Sequence, residues 1–389
     1  MAVVTGRLLA LAFLLCFSTG LFSHFLQDPL LWMRFPTRPI ALYQWTQGIH
    51  ITAGILCFPL LFAKLYVVFP QLFQTPAIRS FPHFLERASI TLFVSASLVQ
   101  IVTGMLNTYQ WYALFPFPFR QTHYALSFVI IGSLAIHIAV KLPVIAAHWT
   151  KAASAAGTVV QGADELLPPQ HPPAGITGRI TRWIDGVPAA PPTASRRAFV
   201  GTLIAAGATL VVTTAGQSFR VFDGTNIFAP RKAGIGPNDL PVNRTAQAAK
   251  VTETAVDPNW TLTVSNGSTS RSFTRSALAA LPQHRVDLPI ACVEGWSQTA
   301  SWRGPRLVDL LDSVGADPGA RIRLTSLEQK SSYAITEMGS EYARDELTLV
   351  ALELNGETLD IDHGYPARMI APGRPGVMQT KWLTTLEVI

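Results

Sequence analysis

Cysteine is scarce in this chain, and its distribution excludes a disulfide framework: of three in 389 residues, Cys16 and Cys57 lie inside apolar stretches and Cys292 stands alone. Charge is scarce as well. Only 14% of residues are Asp, Glu, Lys or Arg, and the mean hydropathy of +0.29 is too high for an ordinary soluble protein. The formal net charge is +6, yet many basic residues flank the apolar runs instead of forming a stripe, which argues against nucleic acid as a partner and for membrane topology. No small-residue cleavage site follows the first apolar run, so it reads as a membrane span and not as a removable signal.

What is present is a set of apolar stretches long enough to cross a bilayer as helices. They run over Arg7 to Leu26, Tyr43 to Phe69, Phe84 to Leu106 and His123 to His148, with polar or proline-bearing breaks between them. With a cytoplasmic N-terminus, Arg7, Lys64, Arg79, Arg87, Lys141, Lys151, Arg179 and Arg182 fall inside and Arg34, Arg38 and Arg120 outside, the usual positive-inside bias. The expected site is a bacterial cytoplasmic membrane, with lipid as the first partner.

Histidine within a span is costly and marks function. His123 and His137, fourteen residues apart, stand about 21 Å apart and nearly on one helix face, a spacing that suits two stacked haems. His50, in QGIHITAG, sits at the depth of His123, so a bis-histidine haem b is expected there. Histidines bonded between helices are the competing reading. The four spans, the HITAG segment and the fourteen-residue pair resemble the bacterial di-haem cytochrome b561 group. That resemblance implies a haem-binding bundle exchanging electrons with quinone. The group's inner haem takes a histidine from the cytoplasmic half of the first span, and this chain has none there; His83, in PHFLERAS, is at a depth to partner His137 or serves as an interfacial helix-start residue. One or two haems are therefore expected.

Residues 151–194 are rich in Ala, Gly and Pro and read as a linker, with one short helix near Ile176 to Ile184. SRRAFVGTLIAAGATLVVTTAG, residues 195–217 with its flank, pairs two arginines with a weakly apolar run; it resembles a twin-arginine export signal placed inside the chain, or is a fifth span anchored by Arg196 and Arg197. Both place residues 218–389 outside the cytoplasm.

That last part carries strand and turn signals. Asn-Gly at Asn266 and at Asn355 marks hairpins, Ser276 to Leu281 reads as a short helix capped by Ser276, and Arg321 to Ser326 and Tyr333 to Thr336 read as strands. Val286 to Val293 is an apolar strand that delivers Cys292 at its end. A thiolate is a soft ligand that can hold a redox metal when an organic cofactor supplies the rest; the bland reading is a small buried hydrophobe. Arg303, Arg306, Arg344 and Arg374 are candidates for holding an oxyanion, and Glu294 reads as structural.

CVEGWS at Cys292 to Ser297 with Trp302, Gly304 and Pro305, HGYPARMIAPGRPG at His363 to Gly376, and TKWL at Thr380 to Leu383 together resemble the sulfite oxidase family of molybdopterin enzymes over about 240–389. The resemblance implies that Cys292 ligates molybdenum, that His363 and Arg368 hold the pterin, and that Lys381 lies near its phosphate. The expected architecture is therefore an all-α four-span haem bundle (1–150), a linker (151–194), a fifth span (195–217) and an α+β, mainly β, molybdopterin domain (218–389). The expected function is oxygen-atom transfer on a small oxyanion or an S- or N-oxide, with electrons passing through haem b to or from quinone and a redox partner subunit able to join. A haem-only conduit, or a membrane-anchored binding or assembly module without the metal, is the alternative.

Overall fold

The computed structural model describes residues 2–30, 32–72, 78, 80–114, 117–153, 196–329 and 331–389. The expected helix near 176–184 and all but the first three residues of the expected linker lie outside them. Five helices dominate the first part: α1 (Ala2–Gln27), α2 (Leu42–Leu72), α3 (Phe81–Thr108), α4 (Phe119–Ala153) and α5 (Arg196–Thr214). Among the described residues, five helical stretches are long and apolar enough to cross a membrane, the last being Arg197–Gln217. Each arises where an apolar run saturates its own backbone hydrogen bonds, the only way a lone segment can do so in lipid.

The chain divides into two compact units. One comprises 1–13, 54–107 and 111–208; the other comprises 14–53, 108–110 and 209–389. In the first, Leu9, Ala12, Phe13, Cys57, Leu61, Ala96, Ile101 and Ile130 form a buried core, with Phe13 and Phe93 edge to face at 5.2 Å. Cys57 thus fills core space, the role expected of a buried thiol. Leu11, Phe62, Val102 and Leu142 stand exposed on the helices, as lipid-facing side chains do.

The second unit holds a sheet-rich domain. Its strands are β1 (Thr261–Asn266), β2 (Thr269–Thr274), β3 (His284–Ala291), β4 (Ser297–Gly304), β5 (Ile322–Ser326), β6 (Ile335–Met338), β7 (Leu349–Ala351), β8 (Glu353–Leu354), β9 (Glu357–Thr358), β10 (Arg368–Ile370) and β11 (Leu383–Val388). A five-stranded sheet has the order β2-β1-β11-β5-β6, a four-stranded one β3-β4-β8-β9, and β10 pairs with β7. β1 runs parallel to β11, so the C-terminal strand lies at the centre of the sheet, between the Asn266-Gly267 hairpin and β5. Alternating burial on β1 and β5 places Leu262, Val264, Ile322 and Leu324 in one core with Leu310, Met369 and Leu386.

Two details differ from the sequence reading. The short helix spans Arg275–Ala280 and is capped by Thr274, whose Oγ1 accepts from the Ala277 N–H at 3.1 Å; Ser276 stands inside the helix because Thr274 holds the extended backbone a cap requires. The strand expected at Tyr333 to Thr336 begins instead at Ile335, since the Ala334 N–H closes a turn onto Ser331.

The segment joining α1 to α2 is fastened within the second unit. Phe35 packs on the core of Leu262 and Leu324 and Ile40 on a neighbouring one of Leu288 and Trp302, while Arg38 grips Asp345 with Nη1 at 2.8 Å and Nη2 at 3.3 Å. Against the upward push of partial burial, the Leu347 N–H, Thr37 and Arg38 hold the Asp345 carboxyl below its ordinary range.

Candidate molybdenum-cofactor site

Cys292 follows β3 at the tip of the β3–β4 hairpin. Its N–H donates to the Trp296 carbonyl at 2.8 Å and its own carbonyl accepts from the Gly295 N–H at 3.1 Å, so residues 292–296 form a tight loop. The side chain is 2% exposed, and burial pushes the thiol pKa well up, with Glu294 adding to the rise and Lys381 opposing it. A thiol held this way ionises when a metal takes its proton's place.

Arg368 and Lys381, from the other two motif segments, bear electrostatically on it, and the same two cations bear on His363. Arg368 opens β10, is 1% exposed, donates from Nη1 to the His363 carbonyl at 3.2 Å and lies over the Trp302 ring at 5.2 Å. Lys381 donates from Nζ to the carbonyls of Arg244 at 2.9 Å and Asp362 at 2.7 Å. His363 has its Nε2 at 2.8 Å from the Pro237 carbonyl and 3.0 Å from that of Leu240, so this nitrogen donates and the ring stays neutral. Burial, then the charges of Arg368 and Lys381, lower its pKa to about 3. Burial lowers Arg368 to about 9, and burial together with Arg368 lowers Lys381 to about 7. Lys381 and Arg368 spend these donors on backbone carbonyls and not on carboxylates, and Arg368 Nε is buried without a partner among the described residues.

Two of the four candidate oxyanion-holding arginines are tied down, whereas Arg306, like Arg374, has a buried nitrogen without a partner among the described residues. Arg303 pairs with Glu353 at 2.8 Å and Arg344 pairs with Asp312, which ties both to structural bridges. Arg374 is 5% exposed, donates from Nη2 to the Glu337 carbonyl at 2.7 Å and has a buried Nη1 without a partner among the described residues. The Glu294 carboxylate accepts on both oxygens: Gln110 Nε2 donates to Oε1 at 2.6 Å and Trp296 Nε1 to Oε2 at 3.3 Å.

Residues 248–389 match the family described as "Oxidoreductase molybdopterin binding domain". They form a molybdopterin-binding oxidoreductase domain of the sulfite oxidase family. The chain is similar to the mitochondrial sulfite oxidase of Drosophila melanogaster, 30% identical over 158 residues covering 33% of this chain and 27% of that protein. It is 33% identical over 116 residues to the sulfite oxidase of Arabidopsis thaliana, covering 24% of this chain and 29% of the relative. A third likeness, 30% over 121 residues with 31% and 45% coverage, is to the "Putative protein-methionine-sulfoxide reductase subunit YedZ1" of Azospira oryzae. The chain thus spans under a third of the sulfite oxidases it matches.

The molybdopterin domain fits its cofactor by the chemistry of its donors. A buried guanidinium with an unspent N–H donor, as at Arg368 Nε, costs free energy unless an acceptor joins it, and a phosphate-bearing pterin with a thiolate-ligated metal supplies one.

The histidines divide between the two units. His50 belongs with the molybdopterin domain, and its Nδ1 lies 2.8 Å from the Cys16 carbonyl on α1; a side chain on Gly20 would place Cβ 2.6 Å from the His50 ring. A ring so held donates from Nδ1. In the other unit, the His123 carbonyl accepts from Gln100 Nε2 at 2.9 Å, and His137 has a buried Nδ1 without a partner among the described residues. His83 accepts at Nε2 from Arg87 Nε at 3.2 Å, one turn along α3, the arrangement of a helix-start residue.

Sequence reasoning missed Gln47, Gln110 and Ser218, which grip the loop after Cys292: Gln47 Nε2 donates to the Val293 carbonyl at 3.2 Å and Ser218 Oγ to that of Gly295. The readable signal was Gln47 itself, an amide within an apolar run three residues before His50.

Proposed function

We propose that this protein is a membrane-bound molybdenum oxidoreductase that transfers an oxygen atom to or from a small substrate and exchanges the electrons with quinone through haem b. The observation that carries the reading is a buried thiol, Cys292, within electrostatic reach of the buried cations Arg368 and Lys381, with a donor of Arg368 left unspent. When bound, the molybdenum cofactor supplies two-electron oxygen-atom transfer. Cys292 would give its thiolate to the metal. Arg368 and Lys381 would hold the cofactor's anionic groups, and neutral His363 fixes the 237–240 segment. Arg374, buried with a spare donor, orients an S=O or S–O⁻ group of the substrate.

His50, His123 and His137, with His83 as a further candidate, would hold haem b, whose one-electron chemistry links the molybdopterin domain to quinone. Five membrane-length helices supply the lipid setting for that exchange. The likenesses to sulfite oxidases and to a protein named for methionine-sulfoxide reduction frame the substrate as a sulfur oxyanion or a sulfoxide. The molybdopterin domain stands on the extracytoplasmic side in this reading, carried there by the span that begins at Arg196.

Visible spectroscopy of the purified protein tests the whole path. Addition of sulfite should reduce the haem bands, or addition of a sulfoxide should reoxidise bands reduced beforehand, and both responses should vanish in Cys292→Ala. Haem bands that respond to neither class of compound, in metal-loaded protein, would refute the electron path.

A further inference from the structure

The three residues after Cys292 are each held from outside the molybdopterin match. The Val293 carbonyl accepts from Gln47 Nε2 on α2, the Glu294 carboxylate from Gln110 Nε2 just after α3, and the Gly295 carbonyl from Ser218 Oγ just after α5. Gln110 is itself fixed, donating to the Asn243 carbonyl at 3.2 Å and accepting from Arg231. Gly295 lies at φ +101°, and a Cβ there would meet Ile51 Cδ1 at 2.3 Å, so the loop backbone sits directly against α2. Gln47 is 7% exposed, and an amide so buried has strong reason to keep its partner.

We propose that Gln47 and Gln110 are positioning residues for Cys292: by fixing Val293 and Glu294 they set the direction in which the Cys292 sulfur meets the metal. The inference rests on the reading of Cys292 as the metal's ligand. It adds that this geometry is imposed by membrane helices, not by the molybdopterin fold alone. Gln47 and Ile51 bracket His50 on α2, so the loop that ligates the metal touches the helical turn that carries a candidate haem ligand.

The test uses the whole chain in detergent, with Gln47→Glu, which keeps the size and removes the donor, and Gln110→Asn, which tolerates the positive φ of 58° at that position. Molybdenum content should stay at the wild-type level, while the Mo(V) electron paramagnetic resonance g-values shift away from the wild-type spectrum. Cofactor-free protein supplies a second measurement: hydrogen exchange of the 292–296 amides should quicken about tenfold or more in Gln47→Glu, as release of a local closed state would cause. Wild-type g-values in metal-loaded variants, or unchanged exchange in the cofactor-free protein, would overturn the positioning role. Absence of molybdenum from the wild-type protein would instead remove the reading on which it rests.

Discussion

The Arg368 guanidinium lies 5.2 Å above the Trp302 ring, and its Nη1 reaches the His363 carbonyl at 3.2 Å while Nε remains buried and unspent. A cation in this state is an uncompensated cost in the cofactor-free protein and an anchor in the loaded one. Replacing a buried charge that has no ion-pair partner by an apolar side chain of similar volume removes its desolvation cost. Arg368→Met is therefore expected to raise the denaturation midpoint of cofactor-free protein while lowering retained pterin, as read by fluorescence of the released cofactor.

The pH dependence of the cofactor-free domain follows from Lys381 and His363. Lys381 titrates near 7 when folded and near 10.4 when unfolded, so between those values the unfolded chain binds more protons and stability falls as pH is lowered from about 10 to 7. His363, at about 3 folded against about 6.5 unfolded, removes further stability between pH 6.5 and 3. Thermal scans should show the first slope abolished by Lys381→Met and the second by His363→Gln, and bound cofactor should flatten the first.

Much of this site was legible in the chain. A motif segment ending at Ser297 and a pair ending at Gly376 and Leu383 lie in one domain because β3, β10 and β11 carry them there, and turn chemistry at Asn266 and Asn355 marked two hairpins. The supports of the Cys292 loop were not legible. Gln47, Gln110 and Ser218 lie in three separate helical regions, and no local pattern shows that their amides and hydroxyl would reach the loop from 293 to 295. Arg303 and Arg344 were equal to Arg374 in sequence; only tertiary pairing with Glu353 and Asp312 sets them apart.

Gly20 leaves the space in which the His50 ring stands, since a Cβ there would approach the ring within 2.6 Å. Gly20→Val should displace the ring from the Cys16 carbonyl and lower haem per chain, or shift the haem's absorption bands, with molybdenum unchanged. Equal haem and an unaltered spectrum would show that His50 is no ligand.

The bridge from Arg38 to Asp345 fastens the α1–α2 connection within the second unit. Its arginine is half exposed, so the bond is worth about 1 kcal/mol or less. Arg38→Ala should leave the thermal midpoint nearly unchanged and speed proteolytic cleavage of the 28–41 segment.

The central claim is that Cys292 holds molybdenum, and elemental analysis of detergent-purified wild-type and Cys292→Ala protein, expressed where the cofactor is made, tests it most directly. About one molybdenum per wild-type chain is predicted, with little or none in the variant, whose fold should survive because a buried thiol replaced by a methyl group costs only about 1–2 kcal/mol. Folded wild-type protein without molybdenum, or a variant that keeps it in full, would contradict the account.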